Sequence, residues 1–220
     1  MTAFKASLAG GAGALALCVA GAGFAGDKNS VTKTYALSGF ERIDIAGVYD
    51  LDVRVGPDFS ITLTGHQKEM ERVEASVREG VLYLTRADGK RRWGVGDDQE
   101  IEAEITLPSL NSLDVSGVVA GSIEGVDAEQ FNIDLSGVGN ISLEGECGVL
   151  YADVSGVGDL EAEELECASV FVEVSGVGSA SVYARDKVSA DVSGMGDIDV
   201  YGSPDDVSAD SGMFADITVH

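Results

Sequence analysis

Basic residues are scarce in this chain: 14 Lys and Arg stand against 38 Asp and Glu, a formal charge of −24 over 220 residues. Nucleic acid binding requires clustered Lys and Arg to neutralise phosphates, so nucleic acid is not an expected partner. An anionic membrane surface is disfavoured on the same ground. Histidine is scarcer still, with only His66 and His220, and neither has a nucleophile nearby in sequence. No Ser-His-Asp or Cys-His arrangement is readable. Proline occurs 3 times and Trp once. Beyond the first 26 residues no apolar run approaches the roughly 20 residues that cross a bilayer. The 29 glycines follow no three-residue period, which excludes collagen. With 45% apolar residues, wholesale disorder is excluded as well.

The start of the chain reads as an address. Lys5 precedes the short apolar run from Ala12 to Ala20, and small residues follow from Ala20 to Gly26. One positive charge, a short apolar stretch and an A-x-A-like exit make a secretory signal over residues 1–25. Cys18 raises lipidation, but Leu17 occupies the position before it where a small residue is expected. Residues 26–36 form a lead-in. The expected location is outside the cytoplasm, in the periplasm, envelope or extracellular space.

The second half repeats itself. The runs are Asp114-Val115-Ser116-Gly117-Val118, Asp134-Leu135-Ser136-Gly137-Val138-Gly139 and Asp153-Val154-Ser155-Gly156-Val157-Gly158. They continue with Glu173-Val174-Ser175-Gly176-Val177-Gly178 and Asp191-Val192-Ser193-Gly194-Met195-Gly196. A worn copy begins at Asp210, and an early one runs from Ile43 to Leu51. Between copies, alternating runs such as Ile133-Asp134-Leu135-Ser136 have strand periodicity. The glycine pairs supply sharp corners. One unit of 18–20 residues cannot bury its own apolar face, whereas stacked units can. The near-constant period therefore predicts a parallel β-solenoid, all-β, with one period per coil and coils about 4.8 Å apart. A sandwich of look-alike hairpins is disfavoured by that constancy. Leu113, Ile133, Ala152, Val172 and Ala190 form one expected inward row, and Val115, Leu135, Val154, Val174 and Val192 another.

Residues 27–108 differ in character and carry 11 of the 14 basic residues, whereas residues 111–220 carry only Arg185 and Lys187 against 22 acids. Their alternating runs predict further strands and a hairpin over residues 73–85, with a short helical turn near Gln67–Arg72. The whole of 37–220 reads as a single domain: a first coil plus inserted strands over 43–110, then repeat coils over 111–220.

Several side chains are candidates for function. In-register stacking would align Asp114, Asp134, Asp153, Glu173 and Asp191, with Asp210 after them, on one outer face. Crowded carboxylates could hold a hard cation such as Ca²⁺ with weak affinity, or simply form a solvated acidic face. Ser116, Ser136, Ser155, Ser175 and Ser193 lie two positions along and could share that face, and Asp159, Asp197 and Asp216 form a second acidic line. Cys147 and Cys167 occupy the same slot in adjacent coils, within reach of a disulfide. The loop containing Arg91, Arg92 and Trp93 is the only basic cluster and adjoins the only Trp, so it could contact an acidic glycan or another subunit. No cofactor is required by any of these features.

The segments Ile43-Asp44-Ile45-Ala46-Gly47-Val48 and Leu107-Pro108-Ser109-Leu110, with the repeated Val-Ser-Gly-Val-Gly, resemble the auto-transporter adhesin head GIN domain family over residues 33–220. The resemblance implies a right-handed β-helix in an exported bacterial envelope protein. It implies a non-catalytic scaffold that binds an unknown macromolecule or glycan, or self-associates. It carries no catalytic motif. A polysaccharide-processing β-helix enzyme and a Ca²⁺-dependent surface-binding module are the alternative expectations.

Overall fold

The computed structural model describes residues 29–86 and 100–220, which form a parallel β-solenoid of about 5 turns. The repeats build its body. β8 (Ser112–Val115) and β9 (Val118–Leu135) are followed by β10 (Val138–Val154), β11 (Val157–Val174), β12 (Ala180–Val192), β13 (Gly196–Tyr201), β14 (Asp206–Ser211) and β15 (Ala215–Val219). Successive coils pair parallel, with like residues opposite like: Ile133 faces Ala152, Ala152 faces Val172, and Val172 faces Ala190. Both expected inward rows are buried. A further row, Leu51, Ile141, Leu160, Ala180 and Ile198, lines another side of the interior. The alternation that buries these residues sends their neighbours outward, which is the physical content of the period-2 pattern.

Each coil turns at its Ser-Gly pair. Hydrogen bonding between coils continues through the corner: the Val138 N–H donates to the Gly117 carbonyl at 2.8 Å, and that of Val157 to Gly137 at 3.0 Å. The backbones stack so closely here that glycine is a steric requirement. A Cβ added at Gly137 or Gly156 would penetrate the carbonyl oxygen of Gly117 or Gly137, respectively. A second bend uses positive backbone φ, 76° at Gly125 and 141° at Gly145.

The early copy makes a coil of its own. β2 (Arg42–Ile45) stacks on β8, and β3 (Val48–Val55) stacks on β9. After Val55 the chain leaves the coil, and the inserted residues build a cap. β4 (Ser60–His66), the short helix α1 (Gln67–Met70), β5 (Val73–Arg78), β6 (Val81–Arg86) and β7 (Ile101–Leu107) follow in order. β6 stacks parallel on β2, and β7 stacks parallel on β3, forming an outer layer. Antiparallel strands then cover that layer: β5 lies on β6, β4 on β7, and β1 (Ser30–Thr34) on β4. A reversed strand direction ends the parallel stack and leaves no parallel edge on which another coil could continue. Buried Glu69 of α1 pairs with Arg86 of β6 and lies 3.9 Å from Arg72, fixing the helix to the cap.

Candidate functional site: the acidic face

The register between coils determines what the outer surface displays. Asp44 lies opposite Asp114, Asp114 opposite Asp134, and Asp134 opposite Asp153. Asp153 then faces Glu173, Glu173 faces Asp191, and Asp191 faces Asp210. Seven carboxylates thus form one straight row, with α-carbons about 4.8 Å apart as strand spacing dictates. Among the described residues no ion pair reaches the row; Lys187 is held by Asp206 at 2.8 Å, and Arg54 by Asp52 and Glu124.

Crowding shows in the proton affinities. Partial burial pushes the Asp134 carboxyl above the usual aspartate range, and the charges of Asp153 and Asp114 raise it further. Burial and Asp114 raise Asp44 in the same way. One oxygen of Asp153 is shut off from solvent and has no hydrogen-bond partner. The row is a line and not a cage: among the described residues, no three His, Cys, Asp or Glu side chains converge where they could hold a metal ion.

The serines after the acids do not all share this face. The hydroxyls of Ser116 and Ser136 donate to the carbonyls of Ile45 and Val115 in the preceding coil, each at 3.3 Å. A hydroxyl at the corner thus lies over the backbone of the preceding coil. The second acidic line is also partly structural. Asp159 accepts from the Ser179 hydroxyl at 2.6 Å and from the Ser179 N–H at 3.0 Å, so it ties two coils together.

Beside the acids runs a second outward row, in which Asn132, Tyr151, Phe171 and Ser189 stand opposite one another in turn. The Tyr151 and Phe171 rings stack with centroids 5.0 Å apart and planes 9° from parallel. With Asp134, Asp153, Glu173 and Asp191 they line a shallow depression open to solvent. The aromatic pair is visible in the sequence only as a 20-residue spacing, and sequence reasoning passed over it. Asp44, from the early copy, extends the row by one member beyond the expected set.

The structure joins Cys147 and Cys167 by a disulfide, with α-carbons 4.5 Å apart in paired slots of β10 and β11. The loop of Arg91, Arg92 and Trp93 lies outside the described residues, as do the segment read as a secretory signal and Cys18. No helix in the described residues is long and apolar enough to cross a membrane.

Comparisons with known proteins agree with this architecture. A crystal structure of a Bacteroides fragilis protein described as a putative adhesin superposes with a TM-score of 0.71. It is 24% identical, and the match covers 88% of this chain and 98% of that one. A putative adhesin from Parabacteroides distasonis superposes with a TM-score of 0.52 at 16% identity, over 88% of this chain and 98% of the other. At these identities the likeness concerns the fold. No curated protein matches the sequence. The family model described as "Putative auto-transporter adhesin, head GIN domain" matches residues 39–204, from before the first coil through β13. That match spans most of the chain, which therefore belongs to the auto-transporter adhesin head GIN domain family.

Proposed function

We propose that this protein is a non-catalytic, exported scaffold of the bacterial cell envelope that holds a macromolecular partner against its acidic face. The observation that carries this reading is the unbroken register of seven carboxylates, from Asp44 to Asp210, with no cation of the described residues paired to them. Aligned like charges oppose folding, and a partner supplying positive charge or multiple hydrogen-bond donors relieves that opposition when it binds. The stacked Tyr151–Phe171 pair adds apolar contact area with a hydroxyl at its rim. The adhesin descriptions of the family and of its structural relatives support the binding reading.

The test is adsorption of the fluorescently labelled mature chain to isolated bacterial envelopes. The comparison variant is Asp134→Asn/Asp153→Asn/Glu173→Gln, checked for fold by circular dichroism. At least a tenfold loss of adsorption is expected. Adsorption equal to that of the unaltered chain would remove the acidic face from the function.

A further inference from the structure

The corner of each coil leaves one apolar residue about half exposed. Val48, Val118, Val138, Val157, Val177 and Met195 lie opposite one another in a single row. The last five are between 44% and 56% exposed. Val138 and Val157 also border, with Val115, Leu135 and Val154, a small apolar gap at the inside of the corner, so part of each side chain faces inward and the rest is open to solvent. The glycines before them have a steric reason, since their backbones touch; the valines that follow have their outer halves uncovered. Over five strand spacings the row is about 24 Å long. Each member follows a glycine, and the four from Val138 to Met195 also precede one. With no side chains on those flanks, the row stands above the surface as a ridge. Contiguous exposed apolar surface marks an interaction site.

The surroundings specify the occupant. Four residues before each ridge residue stands a member of the carboxylate row. Two residues after it stand Asn140, Asp159, Ser179 and Asp197 in successive coils, two of them acidic. The ridge is therefore an apolar line with an anionic border. An anionic lipid surface is repelled by that border, and so is a second copy of a chain carrying a formal charge of −24. We infer that the ridge docks a cationic amphipathic polypeptide segment, with its apolar stripe on the valines and its Lys or Arg residues against the carboxylates. A helix of roughly 16 residues has the length of the ridge. Helix-on-apolar-surface recognition with charged margins is an established mode of segment capture. The inference rests on the binding reading above and names the class of partner.

The probes are two synthetic 18-residue peptides of equal positive charge, a Leu/Lys amphipathic helix and its Ser/Lys counterpart, titrated against the mature chain at 150 mM NaCl. The chain is expected to bind the Leu/Lys peptide at least tenfold more tightly. Val138→Thr/Val157→Thr/Val177→Thr keeps side-chain shape and is expected to bind both peptides alike while retaining the native circular dichroism spectrum. Met195→Gln alone, at the end of the ridge, is expected to reduce the preference in part and serves if the triple variant does not fold. Equal affinity of the unaltered chain for both peptides would show attraction by charge alone and overturn the inference. So would a preference that survives the ridge substitutions, or a sedimenting dimer that they dissociate. These failures leave the envelope-adsorption result untouched, because that experiment alters only the carboxylate row.

Discussion

Replacing Asp153 by Asn removes one charge from the middle of the carboxylate row and leaves side-chain shape nearly unchanged. Its nearest like charges are Asp134 and Glu173, one coil to each side. With the side chains splayed to about 6 Å, each repulsion is about 0.7 kcal/mol at the dielectric of water and about 2.8 kcal/mol at an effective value of 20. Screening at 0.15 M salt, with a Debye length of about 8 Å, roughly halves both figures. Two neighbours together therefore destabilise the fold by about 0.7–2.8 kcal/mol. The carboxylate oxygen of Asp153 that lacks both solvent and partner adds a desolvation cost that a neutral amide lessens. Asp153→Asn should accordingly raise the melting temperature by roughly 1–11 °C, because 1 kcal/mol is worth about 2–4 °C in a chain of this size. The assay is a thermal melt followed by circular dichroism in 10 mM, 150 mM and 1 M NaCl. Debye screening predicts that the gain shrinks about sixfold from the lowest to the highest salt. A lowered melting temperature, or a gain independent of salt, would refute the account of the row as uncompensated repulsion.

Acidification provides an independent check on the same face. Asp44 and Asp134 hold their protons more tightly in the fold than in the unfolded chain. Their protonation therefore favours the fold: stability is gained as pH falls through the raised values and is complete below the ordinary aspartate value of 3.8. The melting temperature should rise as the pH falls from 7 towards 3.8, and Asp134→Asn should flatten that rise; a steady fall with acid would contradict it. The disulfide closes a 20-residue separation, for which chain entropy gives about 3 kcal/mol. Cys147→Ser/Cys167→Ser should therefore melt roughly 6–12 °C lower, and reductant should move the unaltered chain by the same amount while leaving the variant unmoved.

The body of the fold was legible because in a stacked coil the same residue type must solve the same problem every period. Alternation of Ile133, Asp134, Leu135 and Ser136 assigns inside and outside, and the 18–20-residue spacing assigns the neighbour, so the acidic row and the cysteine slots follow from arithmetic. The cap was less legible. β5 and β6 alternate just as coil strands do, and nothing in the alternation tells antiparallel pairing from parallel. That β6 and β7 would lie outside β2 and β3, against chain order, is decided by which edges remain unpaired once the first coil forms. The valine ridge is hidden in the sequence because its members are as apolar as the core. Val115 and Val118 lie three positions apart, so alternation puts them on opposite sides, and the first is buried while the second is half exposed. For Tyr151 and Phe171 the signal was their shared slot, hidden by the change from Tyr to Phe.

The glycine corners also bear on how such a chain can change in length. Backbone meets backbone there in every coil, so each corner is a template for the next and tolerates no side chain on either partner. Insertion or loss of a residue between corners is absorbed by a bulge, as the register shifts between coils show, but at the corner it shifts a bulky residue into a glycine slot and breaks the contact above and below. Duplication or deletion of one whole period leaves every corner facing an identical corner. Lengthening is therefore quantised in units of one coil, each adding about 4.8 Å of reach, one carboxylate and one ridge residue. Lineages of this fold should differ by whole coils between the cap and the last strand, and the acidic row and the apolar ridge should lengthen in step.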